Sequence, residues 1–225
     1  MENFHGIQIL KRDIQVLEKI KHPHLYHIVL DPIGQVIELS LSGMALTHLP
    51  FSIGDLRGLQ KIDLSKTYID DLPSSFSKLS NLKYLSLINT TLRKVPEIIG
   101  DLHALRELHL RNTKILQFPS SLGNLTNLKL LDLSYNKIRT LPESFGFLKN
   151  LEILDLCRNR LESLPESFGQ LHKLRYANLS QNKIKILPHS FENLIGLKTL
   201  DIYQNPIKVS PKYFERLQNL HDINQ

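Results

Sequence analysis

Residues 128–150 read LKLLDLSYNKIRTLPESFGFLKN, and residues 151–173 read LEILDLCRNRLESLPESFGQLHK. The next unit, from Leu174, reads LRYANLSQNKIKILPHSFENLIG. The same phase runs back through Leu105, Leu82 and Leu59 to Val36, and forward to a unit that opens at Leu197 and closes at Asn219. Eight units of 23 residues follow one another without an insertion or a deletion. One unit of that length cannot bury its own leucines, so each must bury them against its neighbours, which makes a solenoid.

Inside a unit the pattern changes period. Leu131 and Leu133 alternate with Leu130 and Asp132, the spacing of a short strand with one buried face. Leu128, Leu131, Leu133 and Ile138 are expected in the core. Asn136 follows where the chain turns, and its amide can both donate to and accept from backbone groups that a sharp turn strands. Asn159, Asn182 and Asn205 repeat it as an asparagine ladder, with Thr67, Thr90 and Thr113 in the earlier units and Met44 in the first. A threonine hydroxyl does part of that work; a methionine does none of it. Pro142 suits the first position of a short helical turn, on which Phe145 and Leu148 face inward. Strands about 4.8 Å apart give a parallel sheet of roughly 35–40 Å for eight units. The bulkier helical turns lengthen the opposite side, so the sheet lines the concave face.

Composition narrows the class. Lys and Arg number 28 against 22 acids, a modest net charge of +6 that reads as spread along the chain and points to no specific nucleic-acid site. A single cysteine, Cys157, excludes an intrachain disulfide framework and a cysteine zinc site. His22, His24 and His27 crowd together without a carboxylate or thiol to complete a metal set, so no metal and no cofactor are expected. No run of 18 apolar residues spans a membrane, and MENFHGIQILKRD meets charge before any apolar core of a signal peptide. A cytoplasmic chain is the expectation, with export lacking a cleavable signal as the alternative.

The ends need covers, because an open solenoid exposes a slab of leucines. Residues 1–35 read as an N-terminal cap: a helix over 7–21 with Ile7, Leu10, Ile14 and Leu17 as its apolar stripe, and a hairpin strand over 26–30. Its polar face mixes acids and bases, which favours a cap over a membrane-surface or partner-binding helix. Residues 36–219 are the eight repeats. Lys212 to Leu220 reads as helical, and residues 220–225 as a tail or a partial ninth strand. This end is a finished cap, a weak dimer contact of an otherwise monomeric chain, or a point of continuation.

The unit L-x-x-L-x-L-x-x-N-x-L-x-x-L-P-x-x-F-G-x-L resembles the leucine-rich-repeat family, in the 23-residue form of Ras-group-related and many bacterial repeat proteins. The resemblance covers Val36 to Asn219. It implies an α/β solenoid: a curved horseshoe segment with a parallel concave β-sheet, short helical or 3-10 turns on the convex side, and an N-terminal helix-plus-hairpin cap. It also implies a non-enzymatic module that binds another protein, with a small GTPase among the partners the family offers.

Concave positions follow from the register. The expected partner-binding set is Tyr84, Ile88, His109, Arg111, Leu130, Asp132, Tyr135, Ile153, Asp155, Arg158, Tyr176, Asp201 and Tyr203. Leu130 and Ile153 put apolar surface where water belongs, with Tyr84, Tyr135 and Tyr176 near them, as an interface core favours. Asp132, Asp155 and Asp201 make an acidic row, while Lys114, Lys137, Arg160 and Lys183 make a basic row along one rim. The leading reading is a protein-interaction scaffold, with signalling as its setting. A bacterial secreted or surface effector is one alternative, and an electrostatic binder of nucleic acid or acidic lipid is the other. Catalysis is not expected, because Cys157 and His109 stand two units apart, beyond hydrogen-bond reach.

Overall fold

A computed structural model of the chain describes residues 2–4, 7–20, 27–208, 214–215 and 217–224. Two strands, β1 (Glu2–Phe4) and β2 (Ile7–Ile9), pair antiparallel and lead into the helix α1 (Lys11–Lys19). The stretch read as one helix over 7–21 is therefore a strand followed by a shorter helix. Residues 7–9 satisfy their backbone across a hairpin instead, and Lys21 lies outside the described residues. Ile14, Val16 and Leu17 bury the inner face of α1 against the first unit.

Among the described residues the main sheet has ten strands. β3 (His27–Leu30) runs antiparallel to β4 (Val36–Ser40), so the expected strand over 26–30 is seen from His27 onward, Tyr26 lying outside the described residues. From β4 every neighbour is parallel: β5 (Lys61–Asp63), β6 (Tyr84–Ser86), β7 (Glu107–His109), β8 (Leu130–Asp132), β9 (Ile153–Asp155), β10 (Tyr176–Asn178), β11 (Thr199–Asp201) and β12 (Asp222–Asn224). Register is exact to the unit: Leu130 pairs with Ile153, Ile153 with Tyr176, and Tyr176 with Thr199. Constant register is what a repeat with no insertion must give, since a slip of one residue would turn the leucines outward. The tail does form a strand, β12, on β11, and Leu217 packs beneath it in the core. Of the helix read over Lys212 to Leu220, residues 212, 213 and 216 lie outside the described residues; 217–220 form no continuous helix but tight turns, with the Leu217 N–H on the Phe214 carbonyl and the Leu220 N–H on the Leu217 carbonyl, both at 2.9 Å.

Opposite the sheet each of the first seven units makes a 3-10 turn, such as Glu143–Phe147 and Glu166–Gln170. The prolines sit one residue earlier than expected. Pro142 is extended at the cap, and its carbonyl accepts the Phe145 N–H at 3.0 Å. Proline has no N–H to lose there, and its fixed φ suits the extended entry. Phe145, Phe168 and Phe191 stack in parallel, with ring centroids 6.2 and 5.9 Å apart, as a spine behind the sheet. Gly146 meets the next unit so closely that a Cβ there would lie 2.4 Å from the Ser167 carbonyl oxygen. Gly54, Gly100, Gly123 and Gly169 meet Ser75, Ser121, Ser144 and Ser190 in the same way.

The asparagine ladder links consecutive units. Asn159 Nδ2 donates to its own unit's Leu156 carbonyl at 3.0 Å and to Leu133 of the preceding unit at 2.9 Å, while its Oδ1 accepts from Ile138 N at 3.0 Å. Asn136, Asn182 and Asn205 repeat this arrangement. Thr67, Thr90 and Thr113 reach the carbonyl three residues back, at 2.7–2.9 Å, and Thr113, where the threonines meet the asparagines, also reaches Asn136 Oδ1 at 3.0 Å. Met44 offers nothing, and its turn is formed with Gly43 at φ +77°. At the entry, Asp13 stands in for an absent unit: its buried Oδ2 accepts the Val36 N–H at 2.9 Å, 23 residues on.

Candidate functional site

The concave face is made of two strand rows and the turn beyond them. In the first row, Leu130, Ile153 and Tyr176 occupy three adjoining strands and form one apolar strip, with Ile153 42% exposed. Tyr84 lies two strands from Leu130, with Glu107 between them, and so stands apart. It joins a second cluster: Lys61 Nζ lies 5.1 Å above its ring, and His109 tilts against it at 5.1 Å. Burial raises the pKa of both Tyr84 and Tyr176, so both stay neutral hydroxyls at physiological pH.

The second row carries the acids, and these have a structural task. Asp132 Oδ1 accepts the Ser134 N–H at 3.0 Å, Asp155 that of Cys157 at 2.8 Å, and Asp201 that of Tyr203 at 3.0 Å. Each closes an Asx turn two residues on, and Asn178 does the same for Ser180. Asp132 and Asp155 are direct neighbours, whereas Asp201 is cut off from them by Asn178. Desolvation first, and then the adjacent Asp132, raise the pKa of Asp155.

Past the strands, the same position of each unit adopts left-handed backbone: Gly43, Lys66, Asn89, Asn112, Tyr135, Arg158, Gln181 and Gln204, with Lys114 as a second such residue in its unit. The N–H at the shared position continues the ladder to the next unit, as from Tyr135 to the Cys157 carbonyl at 2.9 Å. Two bulky members of this row build the most organised feature of the face. The guanidinium carbons of Arg111 and Arg158 lie 4.4 and 4.8 Å from the centroid of the Tyr135 ring, and Arg158 Nε also donates to Gln181 Oε1. An arginine held on a ring face keeps its N–H edge for another acceptor. Gln181 was readable as the next residue in the row, but nothing marked it as a partner of Arg158. Ile88 sits half-buried next to Arg111, in the adjoining unit at the same offset. Tyr203 and Asp201 lie at the far end, outside this cluster.

Cys157 is half-buried, and its thiol is pushed up to about 11 by desolvation and the neighbouring Asp155 carboxylate. So little thiolate forms at neutral pH that the residue is a poor nucleophile. Among the described residues no group of three His, Cys, Asp or Glu side chains could hold a metal ion, and no helix is long and apolar enough to cross a membrane.

Against known proteins, the model of a leucine-rich repeat region matches residues 2–113 and 120–222, and a single leucine-rich-repeat model matches 104–125. A search of curated proteins gives no match. Among solved structures the chain is similar to an internalin C2 of Listeria monocytogenes, at 25% identity and a TM-score of 0.73, covering 84% of this chain and 80% of that one. It is also similar to Toll in its complex with Spätzle from Drosophila, at 26% identity and a TM-score of 0.76, covering 82% of this chain and 26% of that one. The TLR13–ssRNA13 complex aligns at 32% identity and a TM-score of 0.75, covering 83% of this chain. The chain spans 28% of that receptor's length.

Proposed function

The chain belongs to the leucine-rich-repeat family, and we propose that it is a protein-binding module whose partner lies on the concave sheet. The observation that carries this reading is the adjacency of Leu130, Ile153 and Tyr176 on β8 to β10, an apolar strip held open on a rigid sheet. A few aromatic and aliphatic anchors dominate protein interfaces, and these three need no rearrangement to be presented. The Arg111–Tyr135–Arg158 stack flanks them and supplies orientation. Toll in its complex with Spätzle shows a similar repeat array engaging a protein, which supports the same use here. Docking of a small GTPase is one form of this reading.

Immobilised protein is exposed to lysate of its own source, and bound proteins are compared between the parent and a Leu130→Ser, Ile153→Ser, Tyr176→Ser variant. Circular dichroism establishes that the variant folds. Loss of a specific band in the folded variant is the expected result. A band of unchanged intensity would remove the strip from the interface.

A further inference from the structure

The chain's net charge of +6 is not spread over its surface. The segment that descends from the ladder turn toward the 3-10 turn is hydrogen-bonded in register from unit to unit, with Lys137 N on Ile115 O and Arg160 N on Ile138 O, both at 2.9 Å. This register stacks Lys114, Lys137, Arg160 and Lys183 in one exposed row. Two residues on, Arg93, Leu116, Arg139, Glu162 and Lys185 form a second row, and Lys94 lies beside its start. Eight cations thus share one flank with three acids, Asp70, Asp71 and Glu162, a local surplus close to the charge of the entire chain. Among the described residues none of the eight forms an ion pair. The concave strands carry the opposite bias, with Glu38, Asp63, Glu107, Asp132 and Asp155 against few cations.

We infer that this flank is a second docking surface, separate from the concave strip, and that it takes an extended acidic segment of a partner protein. Charge sets the sign of the ligand. Its chemical kind follows from what lies between the cations. Leu116, 49% exposed, floors a 450 Å³ notch walled by Lys137, Arg139 and Arg160, and Ile186, 75% exposed, adjoins Lys185. An acidic chain with interspersed apolar side chains pairs its carboxylates with the walls and its aliphatic groups with the floor. A nucleic-acid strand needs aromatic platforms for its bases, and among the described residues of these rows the aromatic is Tyr68, at the end of the flank beside Asp70 and Asp71, away from the cations of Lys137 to Lys185. The cations span five units, about 20 Å at strand spacing, which an extended peptide of about six to eight residues covers.

The test uses the full chain and a fluorescein-labelled octapeptide of alternating Glu and Leu, followed by anisotropy. Parallel titrations use an oligo-deoxythymidine of similar length and phosphatidylserine vesicles. The peptide is expected to bind and to weaken several-fold when salt rises from about 50 to about 200 mM. Lys137→Glu, Arg139→Glu, Arg160→Glu together, all at exposed positions, should lower affinity at least about tenfold in a chain whose circular dichroism is unchanged. The Leu130→Ser, Ile153→Ser, Tyr176→Ser variant should bind the peptide as the parent does, so failure of the concave reading and failure of this one are separable. Absence of peptide binding at low salt, or full binding by the charge-reversed variant, overturns the proposal. Tighter binding of the oligonucleotide or the vesicles through the same residues overturns it in favour of those ligands.

Discussion

Replacing Asn159 tests the ladder at its most informative rung. Each ladder carbonyl in this half of the array takes two amide N–H groups: Leu133 O accepts from Asn136 at 3.0 Å and Asn159 at 2.9 Å, and Leu156 O from Asn159 at 3.0 Å and Asn182 at 2.9 Å. Asn159→Leu leaves both carbonyls with one donor each, but strips Ile138 N of its acceptor. The two shared bonds are worth about 0.5–1.5 kcal/mol each, and the orphaned buried N–H costs about 1–3 kcal/mol. Their sum puts the loss at roughly 2–6 kcal/mol. Asn159→Thr should cost less, because Thr113 shows that a hydroxyl here still reaches its own unit's carbonyl, at 2.9 Å. Urea unfolding monitored by circular dichroism measures both, and cooperativity should fall as well, because the rung couples neighbouring units. A loss below about 1 kcal/mol for Asn159→Leu, or equal losses for the two variants, would show that the inter-unit bonds do not hold the array together.

Gly146→Ala and Gly43→Ala separate two uses of glycine. The first forces a Cβ to within 2.4 Å of the Ser167 backbone and should cost about 1–3 kcal/mol by pushing units apart; the second meets nothing within 4 Å and should cost about 1–2 kcal/mol through its φ of +77° alone. A crystal structure of each would show unit spacing changed only in the first. Asp155→Asn concerns charge. Burial and Asp132 raise the folded carboxyl's pKa, so its contribution is most favourable where it is protonated and is lost as pH climbs out of the ordinary carboxylate range. Asn178 shows that an amide closes the same turn, accepting from Ser180 N at 3.1 Å. At neutral pH Asp155→Asn should therefore match or exceed the parent, by about 0.2–1 kcal/mol from relief of the opposed Asp132, with the advantage fading below about pH 4. Thermal melts at pH 7 and pH 3 decide it; a variant less stable at both would refute the assignment.

The fold was legible because the feature that defines it is periodic. A leucine every 23 residues fixes which face is buried, and Leu131, Leu133, Leu154 and Leu156 are all fully buried. The N-terminal cap was less legible because it occurs once. Ile7 and Ile9 satisfy a helical stripe as well as a hairpin, and only pairing with residues 2–4 decides between them. At the site, the period told which residues share a row but not which side chains meet. Tyr84 and Tyr176 look equivalent in the alignment of units, yet Glu107 isolates one and Ile153 adjoins the other. The aspartates read as an acidic docking row because their turn bonds depend on backbone geometry two residues ahead. On the flank, the 23-residue spacing made the row of Lys114, Lys137, Arg160 and Lys183 legible, but not the second row, where Arg93, Arg139 and Lys185 lie beside it only through the fold.

The left-handed row sharpens the case for function on the concave face. If the turn alone mattered, glycine or asparagine would serve in every unit, as Gly43, Asn89 and Asn112 show. A bulky side chain in that conformation costs about 1–2 kcal/mol, yet Tyr135 and Arg158 hold it at φ 58° and 54° in adjacent units. What they provide in return is the stack with Arg111, worth about 0.5–1 kcal/mol per exposed cation–π contact, which does not by itself recover the strain of both. Arg158→Gly therefore relieves strain, loses one stacking contact and gains chain entropy in the unfolded state, so its stability should stay within about 1 kcal/mol of the parent. Partner capture by the same variant should fall, because the guanidinium edge is gone while the strip of Leu130, Ile153 and Tyr176 is intact. A drop in stability beyond about 2 kcal/mol would make Arg158 a structural residue, and undiminished capture would take the stack out of the interface.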